Sequence, residues 1–180
     1  MTWADSGPIW GQFIAMLTPE QADKILDIGA GKGVIVAKVL EVYAGAEICA
    51  VDPSEKKIAA MRKGLPSVRC SVAGAERLPF SDSEFDKAYA TMSLHHFADK
   101  GASLKEIARV LKKGGSFVIL EVSPGSGQGW LFRFIGKLMG ERVDTITIDG
   151  LKALVEKTGM FTVVKSVSLG PRYLMQLTKN

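Results

Sequence analysis

Residues 25–33 read Ile-Leu-Asp-Ile-Gly-Ala-Gly-Lys-Gly, an apolar run that breaks into glycine at every second position. A short aliphatic run closed by glycine reads as a buried strand entering a sharp turn. Glycine takes positive φ without steric cost and has no Cβ to hold a neighbour away. Gly29, Gly31 and Gly33 therefore predict a turn across which something lies very close to the main chain. A helix started by such a turn presents its free N–H groups over the same spot. A tight strand-to-helix turn with nothing bound is the plain alternative.

The rest of the chain alternates in the way this opening requires. Apolar runs at 24–29, 46–52, 67–74, 85–92 and 116–123 predict strands. Helical stretches at 32–45, 53–64 and 99–115 separate them, with Gly45 and Gly64 at two of the predicted ends. Strand–helix alternation predicts a parallel sheet covered by helices on both faces. A final helix over 149–159, with Asp149 as N-cap and Gly159 after its last turn, precedes two strand-like stretches at 161–170 and 173–179. The break Gly170-Pro171-Arg172 is too short for a crossover, so these two strands are antiparallel. The expected fold class is α/β: Rossmann-like, doubly wound, a mostly parallel seven-stranded sheet with an antiparallel C-terminal edge hairpin. The expectation is a single domain over 1–180. It divides into a short N-terminal cap (1–23), a cofactor-binding core (24–122), a lid or substrate segment (123–148), and a helix with the edge hairpin (149–180).

Two acids sharpen the ligand. Ligands of open parallel sheets lie beyond the carboxyl ends of the strands. Asp27 stands two residues before Gly29, and Asp52 ends the second strand, 25 residues further on. A dinucleotide fingerprint needs G-x-G-x-x-G, and here the third glycine comes one position early. A carboxylate beside the turn repels a pyrophosphate but suits an ammonium group. S-adenosylmethionine carries an ammonium and a carboxylate on its methionyl end. Asp27 could meet the ammonium, directly or through water, and the loop amides the carboxylate. Asp52 suits a pair of ribose hydroxyls, a feature shared with dinucleotide enzymes. As an N-cap ahead of Pro53 it could serve the following helix as well.

At this point the chain resembles the class I S-adenosylmethionine-dependent methyltransferases, and within them the type 11 group related to ubiquinone/menaquinone methyltransferases. The resemblance rests on ILDIGAGKG (25–33), AVDPSEKKIAAM (50–61), GAERLPFSDSEFDKAYATMSLHHF (74–97) and LKEIARVLKKGGSFVILE (104–121). It implies S-adenosyl-L-methionine as cofactor and S-adenosyl-L-homocysteine as product. It also implies that Asp27, Gly29, Ala30, Gly31 and Gly33 line the methionyl and ribose portion, that Asp52 holds the ribose and that Pro53 lies against the adenine. Ala75 and Glu76 would border the adenine, and Thr91, Met92 and Ser93 would run along the methionyl arm. The family often has an acid just before the alanine, where this chain has Gly74; amino-group recognition would then fall to a backbone carbonyl or to Glu76.

Methyl transfer to a small molecule is the expected function, with a cofactor-binding regulatory or scaffold module of the same fold as the alternative. Proximity and alignment supply most of the acceleration, so no obligatory catalytic side chain is required. His95 and His96, the chain's only histidines, are the candidate bases. No metal site is expected, because adjacent histidines point apart and no cysteine cluster accompanies them. Trp3, Ile9, Trp10 and Phe13 either close over the cofactor or pack. The stretch 127–140, with Leu131, Phe134, Ile135 and Leu138 on one helical stripe and Trp130, Phe132 and Met139 beyond it, needs a surface to bury. Deeper core, an apolar or aromatic acceptor, a homodimer partner through 129–140 and a membrane interface are the options. A net charge of +4 with no aromatic interleaving among the basic residues argues against nucleic acid as a partner. No run of 18 apolar residues predicts a membrane span, and the first residues do not read as a signal peptide. Cys49 and Cys70 in strand-like stretches read as reduced core residues of a cytoplasmic protein.

Overall fold

The computed structural model describes residues 7–20, 22–124, 127 and 143–180. Helix α1 (Gly7–Leu17) leads into β1 (Lys24–Ile28), α2 (Val34–Val42), β2 (Glu47–Asp52), α3 (Glu55–Gly64) and β3 (Arg69–Val72). The chain then crosses to β4 (Phe85–Thr91), makes a 3₁₀ turn (Leu94–His96), and continues through α4 (Lys100–Val110) and β5 (Leu111–Val122). Helix α5 (Ile148–Thr158), β6 (Phe161–Leu169) and β7 (Arg172–Lys179) complete it. The seven strands lie in the order β3-β2-β1-β4-β5-β7-β6. Those from β3 to β5 are parallel, and β7 runs antiparallel between β5 and β6. The predicted fold class is the observed one.

Strand alternation splits the core into two layers. Leu26, Ile28, Cys49, Val51, Ala88, Phe117 and Ile119 face α4 and α5, where Leu104, Ile107, Leu151 and Val155 cover them. Ile25, Ala50, Tyr89, Val118 and Leu120 face the other way, against Phe13 and Leu17 of α1, Val36 and Val39 of α2, and Ile58 and Met61 of α3. Fully burying one such aliphatic side chain is worth about 1.5–3 kcal/mol. Phe13 meets the Tyr89 ring edge-on at 5.5 Å and stacks on Trp10 at the same distance. Packing is thus what Ile9, Trp10 and Phe13 do. Trp3 and the stretch 128–142, with its expected stripe and dimer surface, lie outside the described residues. Both cysteines are buried and free.

Element ends differ from expectation where local competition decides them. Helix α2 stops at Val42, capped by Tyr43 and not by Gly45. Helix α3 is capped by the Ser54 hydroxyl rather than Asp52. Thr147, not Asp149, caps α5, accepting from the Gly150 N–H at 3.0 Å. Helix α4 ends at Val110, because Leu111 already pairs with Phe85; the next ladder pair is Ser116 with Lys87, so Lys112–Gly115 loops out as a bulge.

Candidate functional site

The chain winds outward from β1 to β3 and then returns to β4, so the ends of β1 and β4 lie side by side where the winding reverses. That point is where ligands of open sheets bind. A cavity of about 690 Å³ opens there, within the range of small-molecule sites of about 300–1,000 Å³. Of the residues expected to hold the cofactor, Gly29, Gly31, Asp52, Pro53, Ala75, Glu76, Met92 and Ser93 line it. Asp27, Ala30, Gly33 and Thr91 do not.

The three glycines have different reasons to be glycine. All have positive φ, at 78°, 60° and 83° for Gly29, Gly31 and Gly33. A Cβ on Gly29 would come within 2.8 Å of Ser93 Oγ and closer still to Ser93 Cβ; one on Gly33 would come within 2.8 Å of Met61 and 2.9 Å of Leu65. Those two serve close packing of the protein on itself. Only Gly31 would project a Cβ into open space, at the cavity wall. The loop is pinned across the end of β2, with Gly29 N and Ala30 N donating to Val51 O at 2.8 and 3.0 Å. This backbone bonding is what occupies Ala30. Ser93 closes the other side, its hydroxyl donating to Ile28 O at 2.7 Å.

Asp52 is held ready as an acceptor. Its Oδ2 receives Gly31 N and its Oδ1 receives Ser54 N, both at 2.9 Å, and Lys57 Nζ stands 4.0 Å away at the cavity mouth. Each oxygen keeps a further acceptor position. Asp27 is the opposite case. It is fully buried on the α1–α3 side, beside the Tyr89 hydroxyl of the paired strand. Burial pushes the Asp27 carboxyl up to about 8, the Tyr89 hydroxyl pulls it back and the charge of Asp52 adds to the rise. Asp27 therefore sits directly before the two cavity-lining residues Ile28 and Gly29, buried and outside the cavity lining itself.

The end of β4 is strained: Met92, a non-glycine residue, has φ 53° and donates its N–H to Leu120 O at 2.8 Å. After it, the two histidines separate. His96 is exposed and lines the cavity. His95 is buried, its Nδ1 2.8 Å from Glu121 Oε1 and its backbone N–H donating to Glu121 Oε2 at 3.1 Å, with the rings 4.2 Å apart. Glu121 is itself fully buried. Burial, then its charge, raises the Tyr173 hydroxyl. Among the described residues, no three His, Cys, Asp or Glu side chains gather as a metal site, and no helix is long and apolar enough to cross a membrane.

Sequence reasoning missed Lys57, Ser54, Phe97 and Ala98 on the cavity wall and Glu121 behind His95. Glu121 did leave a signal, a lone carboxylate inside the apolar run 117–122.

A family model described as "Methyltransferase domain" matches residues 26–119, just over half of the 180. An uncharacterised methyltransferase of Mycobacterium tuberculosis is 30% identical over 133 residues, 74% of this chain and 53% of that protein. A demethylmenaquinone methyltransferase of Thermotoga maritima is 30% identical over 125 residues, 69% of this chain and 53% of that one. The chain thus spans about half the length of these curated relatives. Among solved structures, an S-adenosylmethionine-dependent methyltransferase from Mesorhizobium loti superposes with a TM-score of 0.81 at 21% identity, covering 97% of this chain and 99% of that one. The structure of a Haloferax volcanii complex between an activator and a methyltransferase gives 0.82 at 16%, covering 98% and 96%. Likeness at these identities carries the fold.

Proposed function

The chain belongs to the methyltransferase domain family, and from that premise we propose that it uses S-adenosylmethionine to methylate a small, apolar or aromatic molecule. The observation that carries this reading is the cavity at the reversal of the sheet, with bare backbone at Gly31 and a twice-bonded Asp52 in one wall. The residues fit such a nucleoside. Asp52 has acceptor capacity for a diol, the Gly31 backbone admits close approach, and the buried Asp27 carboxyl, largely protonated in the free chain, can ionise against a bound ammonium group.

When bound, the cofactor supplies the activated methyl on its sulfonium. The chain's part is placement. The loop at 29–33 and Asp52 fix one side, and Met92 and Ser93 fix the other across the ends of β1 and β4. Alignment of this kind can remove about 7–11 kcal/mol from a barrier. For an acceptor that must lose a proton, His96 is the side chain in place to take it. His95, held by Glu121, fixes the backbone of the turn that carries His96. The small-molecule acceptor is supported by relatives named demethylmenaquinone methyltransferase. A cytoplasmic setting without nucleic acid as partner belongs to the same reading.

Thermal denaturation with S-adenosylhomocysteine and, separately, NAD tests it. A ligand that binds the native state alone raises the midpoint by mass action. The expected result is a rise with S-adenosylhomocysteine and none with NAD. The reverse pattern refutes the proposal.

A further inference from the structure

The strand that separates β5 from β6 begins with an arginine that has no counter-charge among the described residues. Arg172 opens β7 directly after the turn at 170–171, and its backbone is paired on both sides, with Val122 of β5 and Leu169 of β6. Two ladders therefore fix where it stands. Its side chain shares a face with Leu120 and Leu174, the face that α1 covers. Gln176 Nε2 donates to Met16 O at 2.9 Å, which sets the C-terminal end of α1 against the middle of β7 and leaves its first turn toward Arg172. Helix α1 carries no acid, and Leu120, Val122, Leu169 and Leu174 offer no side-chain acceptor. Arg172 is half-buried, and its Nε is sealed from solvent without a hydrogen bond. Among the described residues nothing holds its two terminal nitrogens either. A guanidinium drawn out of water in this way costs stability until something pairs with it.

Resting on the reading of the cavity as an S-adenosyl nucleoside site, we propose that Arg172 binds a carboxylate of the methyl acceptor, which makes the substrate an apolar or aromatic acid. Asp52 marks the sugar side of the cavity, and Met92 and Ser93 line it at the end of β4. Met92 N donates to Leu120 O, and two residues further along β5 Val122 pairs with Arg172. Arg172 thus stands level with the cavity but outside its lining, two strand spacings, or about 10 Å, beyond β4. That is the side away from Asp52, where an acceptor must lie when the nucleoside fills the space between β2 and β4. Side-by-side N–H groups of a guanidinium match the two oxygens of a carboxylate. An amide of the same shape brings no charge and replaces one oxygen with a donor, so Arg172 gains little from it.

Calorimetric titration of the chain saturated with S-adenosylhomocysteine tests this, with 4-hydroxybenzoate and 4-hydroxybenzamide as probes. The wild type should bind the acid at least about tenfold more tightly than the amide. Arg172→Met keeps an unbranched apolar stem and removes the charge. It should bring the two affinities to within about threefold, leave S-adenosylhomocysteine affinity unchanged, and melt no lower than the wild type, because the group it removes has no partner. Lys165→Met removes the same charge from the exposed outer strand and should leave the preference for the acid intact, which separates a local contact from the net positive charge. Equal binding of the two probes by the wild type, or binding of neither, overturns the proposal. An undiminished preference in Arg172→Met does so too, and a loss of S-adenosylhomocysteine affinity in that variant assigns Arg172 to the cofactor instead. A marked drop in its melting point would make Arg172 a structural residue and also overturn the proposal. Failure of the wild type to bind S-adenosylhomocysteine overturns the nucleoside reading and this inference with it.

Discussion

The ends of β1 and β2 each carry one aspartate, 25 residues apart, on neighbouring strands, and the two live in opposite conditions. Asp52 is met by two backbone N–H groups and opens onto the cavity. Asp27 is sealed behind the loop, beside the Tyr89 hydroxyl. A carboxylate costs little when its charge is bonded, and a great deal when it is buried alone. The difference teaches that folding bonds one acid with backbone donors and leaves the other buried beside a single hydroxyl, that of Tyr89. The first acid shapes the cavity; the second is pushed toward its protonated form by the cost of burying its charge.

Substitutions at these two ends test that division. The largest effect should come from Gly29→Ala, which drives a Cβ into Ser93 at positive φ and unseats the contact between β1 and β4. We expect about 3 kcal/mol or more of lost stability, read by denaturant unfolding. Gly31→Ala, with open space beyond it, should cost only about 1 kcal/mol of stability and show itself in weaker cofactor binding. Equal losses at the two glycines would break the distinction between a packing glycine and a ligand glycine.

Asp52→Ala comes next. It removes the acceptors and frees the N–H groups of Gly31 and Ser54, and should weaken S-adenosylhomocysteine binding by about 2–3 kcal/mol, or roughly a hundredfold. An unchanged affinity would take the ribose role away from Asp52.

Asp27→Asn should do the reverse to stability. The folded chain holds the Asp27 proton up to about pH 8, whereas an unfolded aspartate releases it near its ordinary value of 3.8. The stability this group contributes is therefore full below pH 3.8 and is lost as pH rises toward 8. The neutral isostere escapes that loss, so its advantage over the wild type should be nil at pH 3 and grow steadily toward pH 8. The same variant should bind the cofactor less well, because it cannot become a counter-charge. A pH-independent difference in unfolding free energy would show that the folded chain does not hold the Asp27 proton.

The smallest structural effect, and the most local, belongs to His96. His96→Ala should lower turnover by about 10²-fold or more on an acceptor that loses a proton, while leaving cofactor affinity unchanged. His95→Ala, which breaks the contact with Glu121, should lower stability as well. Identical behaviour of the two variants would remove the separation between a histidine in the cavity and one beneath it.

Much of this was legible in the sequence because it depends on neighbours along the chain. Alternating glycines, the period of the strands and an acid ending the second strand are local patterns, and Asp52 bonds groups 2 and 21 residues away. Ends of elements were less legible. Thr147 outcompetes Asp149 for the α5 cap, and the Lys112–Gly115 bulge takes residues that read as helix, because strand pairing with Phe85 outweighs helical propensity there. The His95–Glu121 pair is illegible without the order β1-β4-β5, since the two residues are 26 apart and meet only because β4 and β5 pair. The burial of Asp27 depends on which face alternation gives it and on α1 folding over that face.

The central claim is that the cavity holds an S-adenosyl nucleoside with its sugar on Asp52. A crystal structure of the chain grown with S-adenosylhomocysteine measures this most directly. The account predicts both ribose hydroxyls within hydrogen-bond distance of the Asp52 carboxylate and the ammonium group on the Asp27 side of Gly29. A ribose seated away from Asp52, or a nucleoside bound outside the ends of β1 and β4, would contradict it.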